Sequence, residues 1–544
     1  MNTFKHQTSS SACSFWDRLR CFLKKIYLYL QKHWFAVTLI SISVLRFVYT
    51  FNLPSFYIRN LNYDDGLMVR GLHFLQKGEY FGPYDNLTLI KSQLFPIILY
   101  LIKFCHLNYC HGFSLFYIAA CLFLTLSLKD VIKNKKYLLL IYLLLLFNPA
   151  SFSQDLFQRL YRNSLSMTEF IFFFACVVRV LFAKSHRLLN YSLLGLSLSL
   201  LFLTREDNLW VYPLLFFIFV YSFCQNKNLK TIFLNLLPLV ILIGSLHLVS
   251  FINYRYYGIY TYNEIKKSHF HDTYKKILQI KDDVKIDQVA IPKSTLYLLA
   301  EKAAAFHLNK HDIDMFYDFM VEENEEITNG NLIWYLRSLV FRLNRFSSAS
   351  ESEAYYQQLG VELDELFANH TLTKEFIMPS IMMNVPTLNT LKQIPKNLLE
   401  AIIYSTTYRN IKTMTDTQEY TFDEDIKAYY LIYNDYHYTV NITEKNAHRF
   451  EIIRVFYQSF TLIFSLIAFI IYLTNITQFD QKSILSHLLL ICYCLIIGGL
   501  AYTHATSFHA IRPLYFGNVY LIQSLFILIN LSRVTAGNKK PKSE

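Results

Sequence analysis

The chain has 544 residues, of which 53% are apolar, 17% aromatic and only 17% charged, and its mean hydropathy is +0.25. Soluble domains carry about a quarter of their residues as charges, so the composition excludes a soluble globular enzyme and predicts an all-α polytopic membrane protein. The formal charge of +12 does not point to nucleic acid: residues 251–451 hold 21 Lys/Arg against 28 Asp/Glu, whereas the remainder holds 31 against 12, the distribution that the positive-inside rule produces.

In chain order, residues 1–33 read as a basic cytoplasmic N-terminus carrying Arg18, Arg20, Lys24, Lys25 and Lys32. Apolar windows near spanning length predict about ten transmembrane helices. They fall at 34–51, 113–128, 137–152, 165–183, 188–204, 209–224, 231–252, 455–473, 484–502 and 513–532. Residues 34–252 thus form an N-terminal membrane module, with a first outer loop over 52–112. Leu94–Leu107 is apolar but short. It reads as interfacial or re-entrant, because a full span there would place Lys129–Lys136 outside.

Residues 253–451 read as a separately packed, mostly helical extracytoplasmic domain. Ser294–Leu308, Asp312–Glu326 and Glu351–Ala368 show helical periodicity, and Asn329-Gly330 reads as a stop between helices. Tyr420–Thr443 is Tyr-rich and partly alternating, which allows a short hairpin. Residues 452–532 hold the last three spans and 533–544 a polar cytoplasmic tail. With both termini inside, the predicted location is a bacterial inner membrane. The nine cysteines lie in no disulfide or zinc spacing, and His504 and His509 lack a carboxylate at ligand spacing. No Gly-rich phosphate loop and no Gly-x-Ser-x-Gly elbow is present.

The acids outside the hydrophilic region gather on the outer face. Asp64 and Asp65 are adjacent in Asn62-Tyr63-Asp64-Asp65-Gly66. One Asp suffices to cap a helix, and a second acid beside it at a membrane surface costs desolvation and self-repulsion unless it is used. Thr204-Arg205-Glu206-Asp207-Asn208 forms a very short charged turn between two spans, where ionisable groups tend to be functional. Glu169 falls one turn inside the next helix, where it could pair with Arg162 or Arg205 or act as a second carboxylate that orients the acceptor or a cation. Lys91, Arg159, Arg162, Arg205 and Arg512 lie on the same face. They are candidates for a lipid phosphate, with snorkelling anchors as the alternative. Asp64, Asp65, Glu206 and Asp207 could also share a divalent cation, Mg²⁺ or Mn²⁺.

This pattern resembles the GT-C superfamily of membrane glycosyltransferases, in which a first span is followed by an outer loop with an acidic pair and then by many more spans. The segment Gly78–Lys91 and the following Leu94–Leu107 look like the loop and interfacial helix of bacterial members. Leu203–Trp210 looks like their charged outer turn, and Asn331–Arg337 is similar to a helix in the outer domain of bacterial relatives. Gln93-Leu94-Phe95-Pro96 stands where the lipid A aminoarabinose transferases and protein O-mannosyltransferases carry a Pro-Pro pair. The resemblance implies an inverting hexosyl- or pentosyltransferase whose donor is a polyprenyl-phosphate sugar and whose acceptor is a glycan or lipid hydroxyl. It implies Asp65, with Asp64 second, as the general base. Arg159, Arg162 and Arg205 would hold the leaving phosphate, and Glu206 and Asp207 would orient the acceptor, a cation or the arginines. Two other classes fit the composition: a transporter or flippase of lipid-linked saccharides, and a non-catalytic scaffold with a partner-binding outer domain.

Overall fold

A computed structural model describes residues 15–51, 53–56, 58, 64–225, 227–321, 325–375, 384–414 and 436–534. Among them the chain is helical, with only two isolated β-bridges. The helices are α1 (Phe15–Thr50), α2 (Asp65–Lys77), α3 (Leu94–Phe104), α4 (Tyr109–Ser127), α5 (Lys135–Leu146), α6 (Asn163–Phe182), α7 (Arg187–Thr204), α8 (Val211–Gln225) and α9 (Leu229–Tyr257). There follow α10 (His269–Ile277), α11 (Lys293–Lys302), α12 (Lys310–Met320), α13 (Asn329–Arg342), α14 (Ala349–Ala368) and α15 (Leu388–Thr407). The chain ends in α16 (Tyr436–Thr474), α17 (Gln481–Thr506) and α18 (Gly517–Val534).

Each of the ten predicted spans coincides with a helix. Eight described helices are long and apolar enough to cross a membrane; α5 and α8, at 12 and 15 residues, are shorter than the roughly 17–25 that a span needs. The eight define an α-helical integral membrane protein. Helix α3 has 11 residues and packs on α2. At about 1.5 Å per residue it reaches only halfway through a bilayer. From Phe15 the chain is helix and runs into the first span, with a kink at His33.

Two large hydrophobic cores form among the described residues, beside a small cluster of Leu89, Ile259 and Ala349. One unites the membrane helices, and the other spans Ile265 to Leu372 together with Ile90. The second is the predicted helical domain, but it ends sooner than residue 451. Helix α15 belongs to the membrane core instead, running antiparallel along α17. Asn397 Nδ2 donates to Ala501 O at 3.4 Å and Ser405 pairs with Tyr493 OH at 2.9 Å. Tyr408, fully buried, accepts from Asn148 Nδ2 at 3.0 Å and stacks on Tyr520. The segment after α15 then meets the π-turn 154–158, with Lys412 O accepting from Gln154 N at 2.7 Å. Residues 388–414 are thus enclosed by the membrane helices and the turn at 154–158, while the short apolar α3 packs on α2.

The predicted stop at Asn329-Gly330 is the start of α13. A Cβ on Gly330 would come within 2.6 Å of the Phe508 ring, so glycine permits the close approach of the domain to the α17–α18 connection. Of the predicted hairpin, residues 420–435 lie outside the described residues, and Tyr436 onward is helix. The tail beyond residue 534 also lies outside them.

Helix α13 fixes the domain to the first loop. Arg337, fully buried, pairs with Glu264, also buried, and donates to Asn86 O at 2.9 Å and to Tyr84 OH at 2.7 Å. Removing one member of a buried pair strands the other charge and costs roughly 3–5 kcal/mol. Glu264→Ala should therefore loosen the domain from the loop, read as faster limited proteolysis between residues 265 and 372.

Candidate functional site

The acid pair is built by the start of α2. Asp64 occupies the N-cap position, yet its side chain caps nothing. The bland reading of these residues as helix caps therefore fails for Asp64, whose carboxylate faces the loop and the charged turns instead.

The two acids have different surroundings. Asp65 is fully buried. Arg159 donates to it from Nε at 2.8 and 2.9 Å and from Nη2 at 2.5 Å, and the Ile58 amide adds a bond of 2.8 Å. Burial pushes the Asp65 carboxyl above the usual carboxylate range, against the pull of Arg159. Asp64 keeps 33% of its side chain exposed. It accepts from Lys91 Nζ and, at 3.0 Å, from Tyr161 OH. Burial raises its pKa, but the charge and hydrogen bond of Lys91 outweigh it and hold the group at about 2.

Arg159 is aimed by its backbone. Phe56 and residues 158–160 bridge in parallel, with Leu160 N donating to Phe56 O at 2.7 Å, and Tyr109 OH donates to Arg159 O at 2.8 Å. Tyr161 is the hub of the site. Its hydroxyl lies 3.3 Å from Arg162 Nη2 and 3.4 Å from Lys91 Nζ, and its ring lies 5.1–5.4 Å from the charges of Arg159, Arg162 and Lys91. Trp334, on α13 of the domain, closes over Lys91 at 5.1 Å.

The Arg-Glu-Asp turn joins the same assembly. Glu206 accepts from Arg162 Nη1 at 3.0 Å, from Ser92 N at 2.9 Å and from Asn263 Nδ2 at 2.8 Å. It thereby ties the turn to the first loop and to the chain entering the domain. Arg162 also donates to Thr204 O at 3.0 Å. Arg205 is spent on Asp207, at 3.0 and 3.2 Å, and on Asn163 at 2.9 Å. Buried Glu169 accepts the Thr204 hydroxyl at 2.6 Å, rather than pairing with Arg162 or Arg205, and its second oxygen has no partner among the described residues.

These pairings revise the role of the charges. Arg159, Arg162 and Arg205, named for a phosphate, are each committed to an internal carboxylate. The four acids named for a cation do not converge: each of the four has its own cation, and no group of three metal-binding side chains forms among the described residues. Those residues do not fit a shared metal, and no step is drawn through one.

A cavity of about 680 Å³ opens beside the π-turn, lined by Asp155, Asn410, Lys412, Thr413, Phe450 and Glu451, among others. Asp155 feels the charges of Arg159, Arg512 and Lys412, which oppose the rise that burial imposes on its carboxyl. Lys412 and Arg512 are exposed. Neither forms an ion pair among the described residues; Arg512 meets only the hydroxyl and ring of Tyr515. Of these residues, Arg159 and Arg512 are candidates from the sequence, which also places Asp155 among the outer-face acids. Tyr161 could have been found, because it stands between the two arginines of Gln158-Arg159-Leu160-Tyr161-Arg162. Lys412 carried no signal, since its place depends on how residues 388–414 pack against the membrane helices.

Fold and site together define a polytopic helical membrane protein with an acid–base cluster at the end of the bundle that carries the helical domain. No family model, no curated protein and no solved structure matches the chain.

Proposed function

We propose that this chain is an inverting membrane glycosyltransferase that moves a sugar from a polyprenyl phosphate to an acceptor hydroxyl on the extracytoplasmic face. Asp64, rather than Asp65, is the general base. The observation that carries this reading is the asymmetry of the pair: Asp65 is buried and saturated by Arg159, while Asp64 is one-third exposed and ionised. A base must reach the proton it takes, and only Asp64 is open.

The acceptor O–H gives its proton to Asp64 as the oxygen attacks the anomeric carbon. The bond from that carbon to the phosphate oxygen breaks, and polyprenyl phosphate leaves with the electron pair. Lys412, at the cavity, and Arg512, beside it, have no ion pair among the described residues and are the cations available to this phosphate; Lys91 could join them only by leaving Asp64. A carboxylate held at about 2 is a weak base. A donor phosphate that draws Lys91 away would raise it and arm it only when donor is bound.

The two intramembrane charges that could speak for a transporter have internal partners. Arg46 donates to Ser151 O at 2.6 Å and stacks 3.5 Å from the Phe152 ring, and Glu169 holds Thr204.

The test is transfer from labelled polyprenyl-phosphate sugars by purified protein, with Asp64→Asn and Asp65→Asn compared; equal activity of Asp64→Asn and the parent removes the assignment. A second expectation concerns pH. Without Lys91, burial dominates and the Asp64 pKa rises. Because the base must be deprotonated, Lys91→Met should move the acid limb of the pH–rate profile upward. An unmoved limb would mean that another group sets it.

A further inference from the structure

We infer that the first half of α1 is a docking surface for anionic membrane lipid, a role independent of the proposed sugar transfer. The break at His33 (φ −109°, ψ 17°) divides α1. Lys129, at the end of α4 remote from the helical domain, sits 5.2 Å from the Phe35 ring. The break therefore lies level with the end of the bundle, and the helix before it extends past the packed helices. Phe35 and Leu39, the first apolar residues of α1 that are buried in the bundle, follow the break, so residues 15–32 are helix ahead of the packed part.

At about 100° per residue, Arg20, Lys24, Lys25 and Lys32 share one side of this helix. Leu19, Phe22, Leu23 and Leu30 share the other. No acid falls between Arg20 and Lys32. Phe22 and Leu23 are 60% and 54% exposed, so nothing in the described chain covers the apolar side. A helix with segregated basic and apolar faces, joined directly to a span, lies in the bilayer interface. The apolar side enters the acyl boundary, and the cations meet headgroup phosphates. A kink at the bundle end supplies the change of direction this needs. Charge complementarity selects anionic headgroups, each cation near the surface contributing roughly fivefold in affinity.

The experiment is hydrogen exchange of the full chain in nanodiscs, one set of phosphatidylcholine alone and one with phosphatidylglycerol. Amides of residues 15–32 should exchange at least tenfold more slowly in the anionic discs. That gain should vanish in 1 M salt and in the triple variant Arg20→Gln, Lys24→Gln, Lys25→Gln, with peptides from α18 unchanged as the control for folding. Equal exchange in the two kinds of disc overturns the inference, as does a gain that survives the triple variant. Neither outcome bears on sugar transfer, which the Asp64 variants test separately.

Discussion

Asp64→Asn should lower sugar transfer by about 10²–10⁴-fold, the usual contribution of a general base, while leaving the protein folded. The amide keeps an oxygen for Lys91 and Tyr161 and loses only the charge that accepts a proton. Lys91, whose side chain is only 6% exposed, loses its counter-charge, so the unfolding temperature in detergent should fall modestly, and adding Lys91→Met should recover it. Single-turnover kinetics with saturating donor would localise the loss to the chemical step. A defect confined to KM would instead assign Asp64 to donor binding.

Arg159→Met should behave in the opposite way. It strands the Asp65 carboxylate in a fully buried position with only the Ile58 amide left as partner. Breaking a buried pair on one side costs roughly 3–5 kcal/mol, a large share of the stability of most domains. Thermal unfolding of the purified variant should show it. Adding Asp65→Asn should recover much of the loss, because the stranded charge is then removed, and a double variant no better than Arg159→Met would show that Arg159 supports the fold through other contacts. The contrast between the two experiments separates the roles of neighbouring acids: one holds the π-turn against the first loop, and the other is left for chemistry.

Much of this was legible in the sequence. The apolar windows located the spans because a helix facing lipid is apolar along most of its length. Asp64-Asp65, the two arginines at 159 and 162 and the Arg-Glu-Asp turn were legible as charges placed where charges are costly, and the fold does gather them. What could not be read was the pairing. Asp65 is matched by Arg159, 94 residues away, and Asp64 by Lys91, 27 residues away. Which acid is covered depends on how the start of α2 faces that turn. Helix α15 was misplaced for a different reason. Lys392, Lys396, Glu400 and Pro395 depress its hydropathy, while Ala401, Tyr404 and Tyr408 bury a stripe against the membrane helices that no spanning window detects.

The packing of residues 388–414 against the membrane helices supplies what the first loop lacks. It brings Lys412 to the cavity beside Asp155 and leaves it, with Arg512, free of any carboxylate partner in the described chain. Cations already matched to carboxylates gain less from a phosphate than unmatched ones, because the new contact must displace the old.

The most direct measurement is the lipid and glycan content of cells lacking this protein, before and after complementation. The proposed function predicts that a polyprenyl-phosphate sugar accumulates and that one envelope glycan or lipid loses a sugar. The wild-type gene should reverse both changes, and the Asp64→Asn gene neither. Unaltered glycans in the deleted cells, or full restoration by Asp64→Asn, would contradict it.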